Sequence, residues 1–217
     1  MKKIIITLFA LFYCISASAE VGVNIGVSGQ IGVFEASAHE KEGPSGAVEK
    51  SAKEDAMAAF GYGSIFVEKD LGILTLGIDY VPTALESETN EEKRTDKTTS
   101  STAAAVTQKV QVDFEDLTTL YLAVNVNESF YVKAGISRVD VITNEALGTG
   151  STYGNTDLDG TILGTGYNKD LDNGMFVRAE ALYQQFDGVT VNGSGDTVIT
   201  VDEINGVSGK ISIGKSF

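Results

Sequence analysis

The sequence predicts an all-β chain, an eight-stranded antiparallel up-and-down transmembrane β-barrel. Three observations predict it. Eight stretches alternate apolar and polar residues with a period of two, the mark of strands with one apolar face. Longer polar connections alternate with short turns, as in a barrel whose two rims differ. No stretch past residue 20 holds 18 consecutive apolar residues, so no apolar helix is available to cross a bilayer instead.

The chain has 217 residues, enough for one domain, with 24 Gly, 2 Pro, no Trp and a net charge of −14. The acid is spread along the chain. A basic footprint for phosphate is missing, which argues against nucleic acid as a partner. Residues 1–19 read as a secretory signal: Lys2 and Lys3 give the positive start, Ile4 to Ile15 the apolar run, and Ala17-Ser18-Ala19 the cleavage site. The barrel domain is then 20–217. Cys14, the single cysteine, lies inside this signal. Bulky Tyr13 precedes it, where lipid attachment wants a small residue. The exported chain would hold no disulfide and no sulfur metal site.

The strands follow in order. In 21–36, Val21, Val23, Ile25, Val27, Ile31 and Val33 share one face, and Gly22, Asn24, Gly26, Ser28, Gln30 and Gly32 the other. Residues 37–56 are polar and charged and read as a loop. Strand 57–69 holds Phe60, Tyr62 and Phe66 in one register, but its alternation is too weak to assign faces. Asp70-Leu71-Gly72 is a tight turn. Strand 73–82 alternates Leu74, Leu76, Ile78 and Tyr80 with Thr75, Gly77 and Asp79, and ends at Pro82, which cannot donate to a ladder. Residues 83–107 form a second polar loop.

Strand 108–126 sets Val110, Val112, Phe114, Leu120, Leu122 and Val124 against Gln111, Asp113, Glu115, Thr119 and Tyr121. Asn127-Glu128-Ser129 is a short turn. In 130–143 the phase slips after Ser137, where Val139 and Val141 become apolar beside Arg138 and Asp140, and a β-bulge there accounts for it. Residues 144–156 are a third loop. Strand 157–168 is Gly-rich, and Asp172-Asn173-Gly174 signals a hairpin. Strand 175–191 alternates Val177, Ala179, Ala181 and Tyr183 with Arg178, Glu180 and Gln184. After a loop at 192–197, strand 198–217 sets Val207, Ile211 and Ile213 against Ser208, Lys210 and Ser212, and ends on Phe217.

Asp113, Glu115, Lys133, Arg178, Glu180 and Lys210 all fall on polar faces, so in a barrel with lipid outside they form a charge network in the lumen. A water-soluble carrier would invert the faces. The Gly and Ser on the polar faces suit the crowded interior of eight strands. Aromatics group near both strand ends: Phe34, Phe60, Tyr80, Phe114 and Phe186 by the long loops, and Phe66, Phe130, Tyr167, Phe176 and Phe217 by the short turns. Two girdles at the two bilayer interfaces are expected from them.

With its signal peptide, eight strands and terminal Phe217, the whole exported chain resembles the small eight-stranded outer-membrane proteins of Gram-negative bacteria, such as the membrane domain of outer membrane protein A and the opacity-type adhesins. The resemblance implies that Phe217 is the C-terminal assembly signal. Lys215 departs from the family, which has an aromatic or aliphatic residue there.

Three motifs carry less than they promise. Gly209 to Ser216 matches the P-loop expression but lacks the helix that would face phosphate. Asn168, Asp170 and Asp172 imitate a calcium loop, with the glycine one place late and Ala179 where a glutamate belongs. His39, the one histidine, sits in a charged loop without a defined partner. The expectation is a non-catalytic monomer without metal or cofactor. Its partners are outer-membrane lipid, the outer-membrane assembly machinery and an extracellular ligand met through the acidic loops. The role is structural or surface-interacting, in adhesion or envelope integrity. A narrow porin-like channel and a secreted carrier of an apolar ligand are the alternatives.

Overall fold

The structure, a computed structural model, describes residues 22–42, 50–97, 103–148, 152–194 and 197–217. Among them run twelve antiparallel strands: β1 (Val23–Glu42), β2 (Lys50–Asp70), β3 (Leu74–Tyr80), β4 (Leu85–Glu86), β5 (Asn90–Lys97), β6 (Ala103–Asn125), β7 (Phe130–Leu147), β8 (Thr156–Asp170), β9 (Met175–Phe186), β10 (Val189–Asn192), β11 (Thr197–Val201) and β12 (Ile204–Ser216). Eight of them close a ring in the order β1, β2, β3, β6, β7, β8, β9, β12 and back to β1. This is the predicted up-and-down barrel. The closing seam pairs Asn24 with Ser216 through to Glu35 with Asn205. Just below it, Val23 and Phe217 exchange backbone bonds of 3.2 and 2.9 Å, which ties the last residue to the first strand. The predicted signal at 1–19, including Cys14, lies outside the described residues.

The period of two sets the faces. On β1, Ile25, Val27, Ile31 and Val33 are exposed while Asn24, Ser28 and Gln30 are buried. On β12, Val207, Ile211 and Ile213 are exposed while Ser208, Lys210 and Ser212 are buried. On β2, Ile65 faces out, and Ser64, Phe66 and Glu68 face in. Ile31, Leu163 and Ile211 are 68%, 60% and 63% exposed and belong to a belt of large apolar side chains around the wall. A belt of that kind is what lipid outside requires and what water penalises.

The short turns carry the predicted chemistry. Gly72 sits at φ 89°, and its N–H donates to Asp70 Oδ1 at 2.7 Å. Asn127 Oδ1 accepts from the N–H groups of Ser129 and Phe130, both at 2.9 Å, an Asx-type turn. Asn173 and Gly174 lie at φ 64° and 73° between β8 and β9.

At the opposite rim the structure corrects the predicted loops. The segment read as loop 37–56 is mostly ladder: β1 and β2 stay paired out to Glu42 with Lys50. Within 83–107, β5 pairs with β6 out to Lys97 with Ala103, and β7 runs to Leu147 inside the predicted loop 144–156. These extensions run through polar and charged sequence, so no apolar alternation marks them. The predicted strand 175–191 breaks at Asp187-Gly188, and the predicted strand 198–217 breaks at Asp202-Glu203. β10 and β11 pair with each other, and β11 pairs with the upper part of β1.

The bulge also sits elsewhere. The register slips on β6, between Glu115 and Thr118, opposite a regular β7. Asp116 adopts φ 53° there, a left-handed conformation that Asp tolerates better than most residues. Its carboxylate accepts from Tyr80 Oη at 2.5 Å. On β7, Tyr131, Lys133, Ser137, Val139 and Val141 are all buried, so there is no change of phase. What changes after Ser137 is the content of the lumen, from polar to apolar.

Candidate functional site

The lumen has two unlike halves. At the end with the short turns, a polar vestibule of about 410 Å³ is lined by Asn24, Glu68, Tyr131, Asn168 and Arg178 among others. It stops at charged layers. Arg178 on β9 meets Glu68 on β2 across the ring through two N–H···O contacts of 2.5 and 2.8 Å. Tyr121 Oη and Asn24 Nδ2 also donate to the Glu68 carboxylate, at 2.7 and 3.2 Å. Arg178 Nε donates to Asn168 Oδ1 at 3.0 Å, and the guanidinium lies 4.6 Å from the Phe176 ring centroid. A carboxylate with four donors and a guanidinium bonded to Glu68 and Asn168 form a dense charged network, with the Tyr131 hydroxyl buried beside it.

A second layer holds two more pairs. Lys133 Nζ donates to Glu180 Oε1 at 2.9 Å, with both side chains 3% exposed. The same ammonium lies 3.8 Å from the Tyr121 ring centroid. Lys210 donates to Asp79. Above these, Gln30 Nε2 donates to Gln184 Oε1 and to Ser208 Oγ, both at 2.8 Å, and Thr119 shares a 2.8 Å bond with Ser137. Small residues make the space. A Cβ on Gly77 would lie 2.3 Å from Tyr121 Cζ, and one on Gly214 would lie 2.3 Å from Phe176 Cζ. The aromatic plates of the lumen lie flat against bare backbone.

Above the glutamine layer the lumen is apolar. Val81, Leu117, Val139, Val141, Leu158 and Phe186 form one buried cluster, with Phe34, Tyr62, Phe114 and Ile204 packed against it. Phe34, Phe60 and Phe114 stack edge-to-face, with centroids 6.1 and 5.9 Å apart. A pocket of about 60 Å³ remains among Phe34, Phe60, Leu85, Phe114, Leu117 and Leu158.

Of the six charges predicted for the lumen, the structure brings Lys133, Arg178, Glu180 and Lys210 inside, each buried or nearly so. Asp113 and Glu115 are not there. The bulge turns β6 over, so Phe114 lies opposite buried Val141, and Glu115 lies opposite Asp140 on the outer face. Asp113 accepts from Gln111 and Asn144, at 3.1 and 2.5 Å, on the outside of the rim. The lumen carboxylates in their place are Glu68 and Asp79. Asp79 was legible from its alternation with Thr75 and Gly77. Glu68 was hidden because its strand carries Phe60, Tyr62 and Phe66 on the same inward face.

The predicted girdles need the same correction. Phe34, Phe60, Phe66, Phe114, Phe176 and Phe186 fill the lumen. Phe130, Tyr167 and Phe217 remain outside at the turn end, where Phe130 and Tyr167 pack at 5.0 Å. Tyr80 is the outward aromatic of the other group.

His39 does have a partner: its Nε2 lies 3.1 Å from Asp202 Oδ2 at the exposed rim. Ser37, two residues away, donates its hydroxyl to Asp55 at 2.6 Å instead of turning to the imidazole. The calcium-like run is spent within the protein, Asn168 facing Arg178 and Asp170. The P-loop-like run is extended strand through Ser216.

No family model matches the chain, and no curated protein matches it. Solved structures do. The outer membrane protein AlkL, determined in DMPC lipid bilayers, is 15% identical over 93% of both chains with a TM-score of 0.51. The outer membrane protein OprG of Pseudomonas aeruginosa is 12% identical over 90% of this chain and 96% of its own, with a TM-score of 0.48. The outer membrane protease OmpT of Escherichia coli is 8% identical over 93% of this chain and 99% of its own, with a TM-score of 0.47. The fold is that of the bacterial outer-membrane β-barrels, and the apolar belt is the face such a barrel turns to lipid.

Proposed function

We propose that this outer-membrane-type barrel is a closed, non-catalytic surface protein, embedded in the outer membrane after export through the signal at 1–19. It serves adhesion or envelope integrity and does not conduct solutes. One observation carries this reading: three ion pairs, Arg178–Glu68, Lys133–Glu180 and Lys210–Asp79, cross the lumen with side-chain exposures of 12% or less. Cations and anions balance, so each charge is spent on a partner. A selective pore instead presents a ring of one sign to its ions. The glutamine contact and the apolar cluster stand on the same axis and add further closure.

The part left to meet other molecules is the far rim. The β1–β2 ladder ends at Glu42 and Lys50, and the β5–β6 ladder at Lys97 and Ala103. Both carry charged side chains on a chain of net charge −14. With short turns in the periplasm and long hairpins outside, these ladders reach the medium. Terminal Phe217 serves the assembly machinery as the C-terminal signal.

The test is conductance. The purified barrel in a planar bilayer is expected to conduct weakly or not at all, and steady, large, weakly selective conductance would overturn the reading. A Thr95→Cys variant, on exposed β5, should react with a membrane-impermeant thiol reagent on intact cells. Reaction only after the outer membrane is broken would reverse the topology.

A further inference from the structure

At the seam between β2 and β3 the ladder stops early. β2 pairs with β3 only from Ile65–Tyr80 to Asp70–Thr75. Above that, β3 ends near Pro82, and β4 and β5 pair with β6 alone. The upper part of β2, residues 57–64, therefore has a ladder partner on its β1 side but none on the other. Behind this seam lies the apolar pocket: Phe60 and Tyr62 come from β2, Leu85 from β4 and Phe114 from β6, the two sides of the gap. Outside it, Ile65 is 52% exposed in the lipid-facing belt.

We propose that this pocket takes the end of one hydrocarbon chain of a bilayer lipid, entering from the surrounding leaflet through the β2–β4 seam. The lining selects the ligand class. It offers aromatic and aliphatic surface; of its polar lining groups, Gln184 is already bonded to Gln30 and Ser208, and the Tyr62 hydroxyl faces Gln184. Size sets how much enters. An apolar cavity of about 150 Å³ holds a six-carbon ring, so the 60 Å³ here fits a chain terminus of two or three carbons. The seam holds the following methylenes, and the head group stays outside. Below, the glutamine layer and the Lys210–Asp79 and Lys133–Glu180 pairs stop the chain, because an alkyl group cannot replace those bonds. The pocket is thus a blind site and not a conduit. The proposal rests on the barrel being lipid-embedded, and it holds whether or not ions pass.

The experiment uses the full exported chain, methyl-labelled, in vesicles of phosphatidylcholine doped with a lipid that carries a nitroxide several carbons short of its chain end, so that the terminal carbons that fit the pocket are unmodified. Paramagnetic broadening of methyl signals is read by NMR. The Leu117, Val139 and Leu158 methyls, buried inside the barrel, are expected to lose most of their intensity. Ala123, at the polar end of the lumen, should keep its signal. Outward Ile211 reports separately on embedding and should be broadened. Val139→Phe, which fills the pocket, should restore Leu158. Unbroadened Leu117 and Leu158 beside a broadened Ile211 would overturn the pocket while leaving the embedded barrel standing. An unbroadened Ile211 would overturn the embedding and the proposal with it. In a second arm, a nitroxide-labelled free fatty acid is added to unlabelled vesicles. Broadening in that arm alone would overturn the bilayer lipid as the source.

Discussion

Below the Gln30–Gln184 contact the lumen is held by a few directed interactions between charges, and above it by many undirected ones between rings and branched chains. The two halves share a wall and a period, yet they answer to different rules. A buried ion is tolerated only if a partner of opposite sign stands at the right register, so Glu68 and Arg178, 110 positions apart in the chain, depend on one another. Leu117, Val139 and Phe186 need only fill space, and neighbours can adjust to a lost group. The lower half therefore resists single changes poorly and specifies register well. The upper half tolerates single changes better and has room left over.

Variants can break or sharpen this contrast. Arg178→Ala has the largest expected effect. It leaves Glu68 charged and without its cation in a confined site, at a cost of about 3–5 kcal/mol. Equilibrium unfolding by urea in lipid vesicles measures it, and pairing Arg178→Met with Glu68→Gln should recover most of the loss. Phe186→Ala in the upper half should cost less, about 3 kcal/mol, because the adjoining pocket lets its neighbours relax. If Phe186→Ala proved the more damaging of the two, the contrast between directed and undirected packing would fail.

Outside the wall, Ile211→Arg should cost about 2–4 kcal/mol if it lies near the bilayer midplane. Normal folding of that variant into vesicles would mean that the faces are reversed.

The smallest effect belongs to the rim. The Ser37 hydroxyl, and next Lys53, hold the Asp55 carboxyl below its usual range. A depressed carboxyl adds stability above its unfolded value, near 4, and loses it as pH falls through the folded value. Carbon-detected titration should place the Asp55 midpoint below that of a free aspartate, and Ser37→Ala should move it up. An unchanged midpoint in Ser37→Ala would remove the Ser37 bond as the cause.

Much of the wall was legible because lipid outside and polar groups inside keep a strict period. β1 and β12 show it residue by residue, and Asp70-Leu71-Gly72 and Asp172-Asn173-Gly174 mark their turns by chemistry alone. The rim was not legible. Where β1 and β2 leave the bilayer, they run through polar and charged sequence, and a ladder continuing to Glu42 and Lys50 reads like a loop. The lumen was legible in part: Lys133, Arg178, Glu180 and Lys210 follow from parity, whereas Asp113 and Glu115 were misplaced by one inserted residue on β6.

By itself the sequence determined the class of fold, the number of wall strands, the outward belt and the positions of the short turns. Each of these depends on neighbours two to four residues apart, within reach of local pattern. The tertiary structure alone decided which charge meets which. It also placed the bulge at Asp116, turned six phenylalanines from the bilayer interfaces into the lumen, and left the β2–β4 seam open above Ile65. Those outcomes depend on register summed around a closed ring. A shift of one residue on one strand there reverses every face above it, and no local pattern records the sum.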